Sequence, residues 1–180
     1  MKTKLFEDKQ ITIREINRAD LRKAKEFQNF INSLVGKGAH ILINKKLTYQ
    51  EEVTFLESTL KNTKSKAGVF LVAEHANTVI GTASIKLEKW RRNHIGKFGI
   101  AIRDGYRRMG LGKYLMSETV TFAKKGLKPR PKMIQLEVSV NNKAAIKFYK
   151  KMGFKTVAKI PKQIQYKGEL MDEFIMILYL

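Results

Sequence analysis

The chain has 180 residues, 43% hydrophobic and 29% charged, a balance that suits a globular fold with a real core. No stretch reaches the roughly 18 to 20 apolar residues needed to cross a bilayer, and "MKTKLFEDKQ" lacks the apolar segment of a secretory signal, so a cytoplasmic protein is expected. A net charge of +20 favours anionic partners, and the absence of cysteine excludes disulfides, thiolate nucleophiles and zinc–thiolate sites.

"ITIREI" (Ile11 to Ile16) alternates apolar and polar residues and predicts a half-buried strand. Leu21, Ala24, Phe27, Ile31 and Leu34 then recur at helical spacing, with Asn17 or Asp20 as cap. "GKGAH" ends that helix, and Thr48 with Glu51 has capping-box spacing for a second one carrying Val53, Leu56 and Leu60 inward. "VFLVAEH" and "TVIGTASIKLEKW" read as strands joined by a turn, followed by "RRNH" and a third strand, "IGKFGIAIR". A helix after Gly112 stops before Pro129 and Pro131. "MIQLEVSV" is a strand, "NNKAAIKFYKKMG" a helix, and "FKTVAKI" and "DEFIMILYL" close the chain as strands. The expected order is β-α-α-β-β-β-α-β-α-β-β in one domain over residues 1–180, a mixed α/β arrangement.

The chemistry concentrates in "IAIRDGYRRMGLGKYL", Ile100 to Leu115. A strand runs into a glycine-bearing, basic turn and then a helix, whose first amides lack intrahelical acceptors and whose dipole favours negative charge. Glycine lets a phosphate approach without a Cβ in the way. The turn is not a P-loop, since Leu111 stands where lysine is required, and not a dinucleotide fingerprint, since Leu115 stands in the third glycine's place. It reads instead as R-x-x-G-x-G, Arg107 to Gly112.

That hexapeptide resembles the pyrophosphate motif of the GCN5-related N-acetyltransferases. "LEVSVNNKAAIKFYKKMGF" resembles the second hallmark of that superfamily through Asn142, Ala145, Ile146, Tyr149, Gly153 and Phe154. The two motifs occur in family order and at family separation. The resemblance implies a central mixed, mostly antiparallel sheet with a splayed parallel pair, flanked by helices on both faces. It implies acetyl-CoA as cosubstrate and no metal. The pantetheine arm is expected on Ile100, Ala101 and Ile102, and the pyrophosphate near Arg107 on the amides of Arg108, Met109, Gly110, Leu111, Gly112 and Lys113. Asn142 is expected to bond the pantetheine amides.

Transfer to an amine by direct attack requires loss of the ammonium proton, polarisation of the thioester carbonyl and a proton for the departing thiolate. The resemblance makes Tyr149 the acid. The spacing from Glu137 to Tyr149 is similar to the base and acid pair of the ribosomal-protein alanine acetyltransferases, with Glu74 or ordered water as reserve base. His40, His75 and His94 lack metal-ligand spacing and read as surface or packing residues.

The superfamily usually builds its acceptor site from the first two helices, their loop and the last hairpin. Glu51, Glu52, Tyr166, Glu169, Asp172 and Glu173 concentrate acidic and aromatic character there, a mouth suited to a cationic amine. The acceptor is read as a protein or peptide N-terminus or a small amine. The alternative, a non-catalytic basic domain that binds nucleic acid, rests on the charge alone. The "KKGLKPRPK" loop (Lys124 to Lys132) is expected far from the thioester, and "FIMILYL" suits a homodimer contact or a buried last strand equally.

Overall fold

The computed structural model describes residues 1–180. Eight strands form one sheet: β1 (Lys2–Phe6), β2 (Lys9–Glu15), β3 (Gly68–His75), β4 (Thr78–Leu87), β5 (Ile95–Ile102), β6 (Met133–Ser139), β7 (Lys155–Tyr166) and β8 (Glu169–Tyr179). Their spatial order is β1-β2-β3-β4-β5-β6-β8-β7, antiparallel throughout except for β5 and β6. Four helices join them: α1 (Ala24–Gly36), α2 (Tyr49–Lys64), α3 (Leu111–Gly126) and α4 (Lys143–Lys151). No helix is long and apolar enough to cross a membrane.

Side-chain alternation decides which face each helix covers. In β3, Val69, Leu71 and Ala73 enter one core with Leu111, Leu115 and Met116 of α3, together with Ile146 of α4. Phe70 and Val72 point the other way, into a second core with Phe27, Phe30 and Leu34 of α1 and Leu56 of α2. A strand buried on both faces reads as an unbroken apolar run, which is why "VFLVA" shows no alternation.

Sequence and structure part at the chain ends. β1 forms a hairpin with β2, yet of its five residues only Phe6 is buried, so no apolar period announces it. The final hairpin is longer than expected, and its register shifts between Thr156 and Ala158 and again between Ile160 and Ile164, which breaks the period of two. Asn17 caps a 3-10 turn, Arg18–Lys23, rather than α1 itself, in a reciprocal box with Asp20. Thr48 and Glu51 cap α2 as their spacing predicts.

One irregularity creates the site. β5 and β6 pair only at Ile95–Met133, Gly96–Ile134 and Lys97–Gln135. Beyond that point β5 continues on β4 and β6 continues on β8, so the two strands separate. The edge of β5 from Phe98 to Ile102 is left facing a cleft, with α3 and α4 starting at its mouth.

Candidate active site

The loop between β5 and α3 is held open from within. Arg107 turns back, its Nε donating to the Ile102 carbonyl at 2.9 Å and its guanidinium pairing with Asp104 at 2.9 Å. Gly105, Arg108 and Gly110 take positive φ angles of 85°, 69° and 89°, and α3 begins directly after Gly110. The backbone amides from Arg107 to Lys113 find no backbone acceptor. A row of unpaired N–H groups at the positive end of a 16-residue helix is an anion cradle.

The side chains around it divide the labour. Leu111 is fully buried and Met109 packs on the same core, so these two contribute only backbone. Arg108, Gly110, Gly112 and Lys113 face the cleft. A Cβ on Gly112 would meet Ile102 Cδ1 at 3.4 Å and Phe148 at 3.7 Å, so that glycine keeps the two walls of the cleft apart.

A cavity of about 580 Å³ runs from this cradle along Ile100, Ala101 and Ile102 to Asn142 and Tyr149, with Lys37 to Ile41 of the α1–α2 loop opposite. Asn142 caps α4, its side-chain oxygen accepting from the Ala145 amide at 3.2 Å, which leaves the side-chain NH2 for the cleft. Tyr149 is 9% exposed and packs against Phe98, Phe148 and Phe154. Burial pushes its phenol up to about 12, so it stays protonated at any physiological pH.

Glu137 lies across from Tyr149 and shares two cavities with it. Its Oε1 is ion-paired with Lys97, and Oε2 has no protein donor. Glu173, on β8, is 5% exposed in the same corner. Its carboxyl is pushed up by burial and by the charge of Glu137. Glu74, the reserve base, is elsewhere: Arg14 grips it at 2.8 Å with Lys23 at 3.3 Å, and that pairing holds it below the ordinary carboxylate range. Glu74 lines no part of the cleft; it and Asp20 clamp Arg14 at the end of β2 and β3.

A second cavity, about 460 Å³, opens from the first at Ile100, Ala101 and Tyr149 and runs beneath α1 and α2. The acidic mouth sorts itself by residue. Glu51 caps α2 and pairs with Lys45, which holds it down to about 2. Asp172 pairs with Lys159 and accepts from the Lys162 amide, and Glu169 is exposed at the hairpin tip. Only Glu52, Glu173 and Tyr166 reach the cavities. His40, read from sequence as a surface or packing residue, lines the cleft and stacks on Tyr166 at 4.4 Å. Tyr166 in turn donates to the Gly38 carbonyl at 2.6 Å, tying β7 to the α1–α2 loop. Nothing in the spacing of these residues announces that contact, since 128 positions separate Tyr166 from Gly38.

The sequence model of the Acetyltransferase (GNAT) family matches residues 39–154, well over half of the chain. The chain belongs to this family. It is 34% identical over 107 residues to the L-amino acid N-acetyltransferase of Escherichia coli, a match covering 59% of this chain and 65% of that enzyme, just under two thirds. It is 28% identical over 170 residues to an N-alpha-acetyltransferase of Sulfurisphaera tokodaii, covering 88% of this chain and 96% of that one. Among solved structures, the GNAT-family acetyltransferase of Streptococcus pneumoniae has a TM-score of 0.81 at 25% identity, over 94% of this chain and 99% of that one. A Salmonella typhimurium protein solved with its cofactor acetyl-CoA has a TM-score of 0.77 at 20% identity, over 94% of each chain. The GNAT sheet with its splayed parallel pair is therefore present, and acetyl-CoA-dependent N-acetyl transfer is the chemistry that membership brings.

Proposed function

We propose that the protein acetylates a primary amine by direct attack within a ternary complex, with Tyr149 and Glu137 as the proton-handling pair. One observation carries the reading: a continuous cavity links the unpaired amides of Arg107–Lys113 to the Tyr149 phenol. A diphosphate fits the cradle by charge and by hydrogen bonding, and the free edge of Phe98–Ile102 offers backbone partners to an extended chain of amides. Arg108 and Lys113 add the counter-charge, and the Asn142 NH2 adds a donor. Acetyl-CoA supplies an acyl group activated as a thioester.

The chain's own residues then manage protons. Glu137 Oε2 takes the proton of the attacking ammonium, directly or through water. As the nitrogen–carbon bond forms and the carbon–sulfur bond breaks, charge gathers on the carbonyl oxygen and then on sulfur. Free amides of β5 receive the first. The Tyr149 hydroxyl donates to the second. A phenol near 12 is a weaker acid than a thiol near about 8.5, so Tyr149 stabilises the departing thiolate by a hydrogen bond, and the second proton that the nitrogen sheds as it becomes an amide balances the one the thiol takes up.

Of the acceptors in view, an α-amine is supported by the near full-length match to an N-alpha-acetyltransferase and by the Glu137-to-Tyr149 spacing. Titration calorimetry with coenzyme A, followed by thiol release with acetyl-CoA across peptides and free amines, tests the proposal. Coenzyme binding with amine-dependent thiol release is expected. A folded sample that gives neither sinks the reading.

A further inference from the structure

Two glutamates, Glu173 and Glu52, are buried apart from carboxyl oxygens that open on the cavities, and no protein donor meets either carboxyl. Glu173 feels the charge of Lys97, whereas the cavity that Glu52 faces is lined by no lysine or arginine. Glu52 sits in the first turn of α2, 3% exposed, and its neighbour Glu51 has both a cap and a lysine. A carboxyl kept in such a place without a partner costs stability, which is tolerated where a ligand supplies the partner.

The cavity it faces has a definite chemistry. Phe27, Phe30 and Ile31 of α1, Leu47 of the loop, and Phe55 and Phe70 form most of the wall. No lysine or arginine lines it. The titratable groups that face Glu52 across it are His40, Glu137 and Tyr149. Of the basic groups nearby, Lys37, Arg107, Arg108 and Lys113 lie in the other arm of the cleft, Lys97 is paired with Glu137, and Arg103 stacks on the Phe30 ring at 5.8 Å.

We propose that this cavity receives a primary amine carried on an apolar or aromatic body, with no carboxylate beside the nitrogen, and that Glu52 is the group that holds the ammonium there. The proposal rests on the acetyl-transfer reading and names the substrate class of the same site. Apolar walls take up the body of the acceptor by burial. Glu52 recognises the charge and Glu137, nearer the sheet, receives the proton. A free amino acid brings a carboxylate into a chamber lined by two carboxylates and no lysine or arginine, the Lys97 charge being already taken by Glu137, so it is disfavoured by repulsion and by lost solvation. A polyamine is disfavoured because its further ammonium groups must shed water along a body that the mostly apolar wall cannot hydrogen-bond. The same chemistry occurs in two sources, an aralkylamine and a peptide whose first residue is apolar, since neither carries a carboxylate beside its amine.

Burial pushes the Glu52 carboxyl up to about 7, so near neutral pH it is only partly ionised. Ammonium recognition therefore strengthens as pH rises through that region.

Steady-state kinetics on the full chain with acetyl-CoA test this. 2-Phenylethylamine, phenylalanine amide and a peptide beginning with Phe are compared with free phenylalanine and spermidine. The first three are expected to exceed the last two in kcat/KM by about 10-fold or more, and the peptide against the small amines tells the two sources apart. Glu52→Gln should raise the amine KM about 10-fold, leave the acetyl-CoA KM within about 2-fold, and flatten the fall of amine KM between pH 6 and 8. Phe55→Ala, at a wall position 47% exposed and tolerant of change, should cut the preference for 2-phenylethylamine over ethylamine about 5-fold. Preference for free phenylalanine or spermidine, or an amine KM indifferent to both substitutions, overturns the amine pocket while leaving acetyl transfer standing. Wild-type protein without coenzyme binding or thiol release overturns both.

Discussion

Tyr149 shows how surroundings prepare one side chain for the proton-donor role proposed for it. Phe98, Phe148 and Phe154 exclude water from the ring and hold the phenol neutral, while the ring's edge opens on two converging cavities. Tyr149→Phe should lower kcat about 100-fold with little change in acetyl-CoA KM, because the lost hydrogen bond matters only as sulfur departs. Stopped-flow thiol release would measure it, and unchanged turnover removes Tyr149 from the chemistry. Glu52 bears a stability cost of its own. Its carboxyl stands near 7 when folded against an ordinary value of 4.5, so between those values the folded state holds more protons than the unfolded one. Stability then declines as pH climbs from about 4.5 to 7 and levels off above, by on the order of 2 kcal/mol. Glu52→Gln should therefore melt higher than wild type at pH 8 and at nearly the same temperature at pH 4, as differential scanning calorimetry can verify.

At the scale of elements, the β5–α3 loop and the β7–β8 hairpin do different work. Gly110 has a φ of 89°, and although no atom would crowd a methyl group there, open space does not relieve that backbone angle. Gly110→Ala should cost about 1 to 2 kcal/mol of loop strain and weaken coenzyme A binding by turning the amides away, readable by calorimetry. Tyr166→Phe removes the bond to the Gly38 carbonyl and frees the α1–α2 loop, so the amine KM should rise while coenzyme affinity holds. The β5–α3 loop is legible in the sequence because its parts are contiguous: Arg107, Gly110 and Gly112 lie within one short run of chain. The hairpin's clasp is not, because it depends on where two register shifts leave Tyr166. Of the six acidic-mouth residues, sequence could not separate Glu51 from Glu52, since adjacent positions on one helix turn point about 100° apart and only packing says which is inward.

Across the whole molecule, the densest basic segment and the site are separated. Lys124 and Lys125, read from sequence as loop, form the last turn of α3, and the Lys132 amide donates to the His94 carbonyl at 2.8 Å, which fixes the basic Lys124–Lys132 segment beside the start of β5. The cradle lies past the far end of that strand, about 26 Å away by strand rise and beyond the roughly 8 Å screening length of physiological salt. Replacing Lys124, Lys125, Lys128 and Lys132 with serine should leave coenzyme A affinity within about 2-fold, a point for calorimetry at about 0.15 M salt. The sequence by itself determined the basic, glycine-bearing turn between strand and helix, and the family, because each is written in short contiguous runs whose local geometry follows from their residues. Only the tertiary structure decided the acceptor chamber. Its walls come from α1, α2, β3, β4, β5, β6 and α4, and no local pattern can say that Glu52, Phe70 and Tyr149 will share one space until the sheet has splayed and both layers have closed on it.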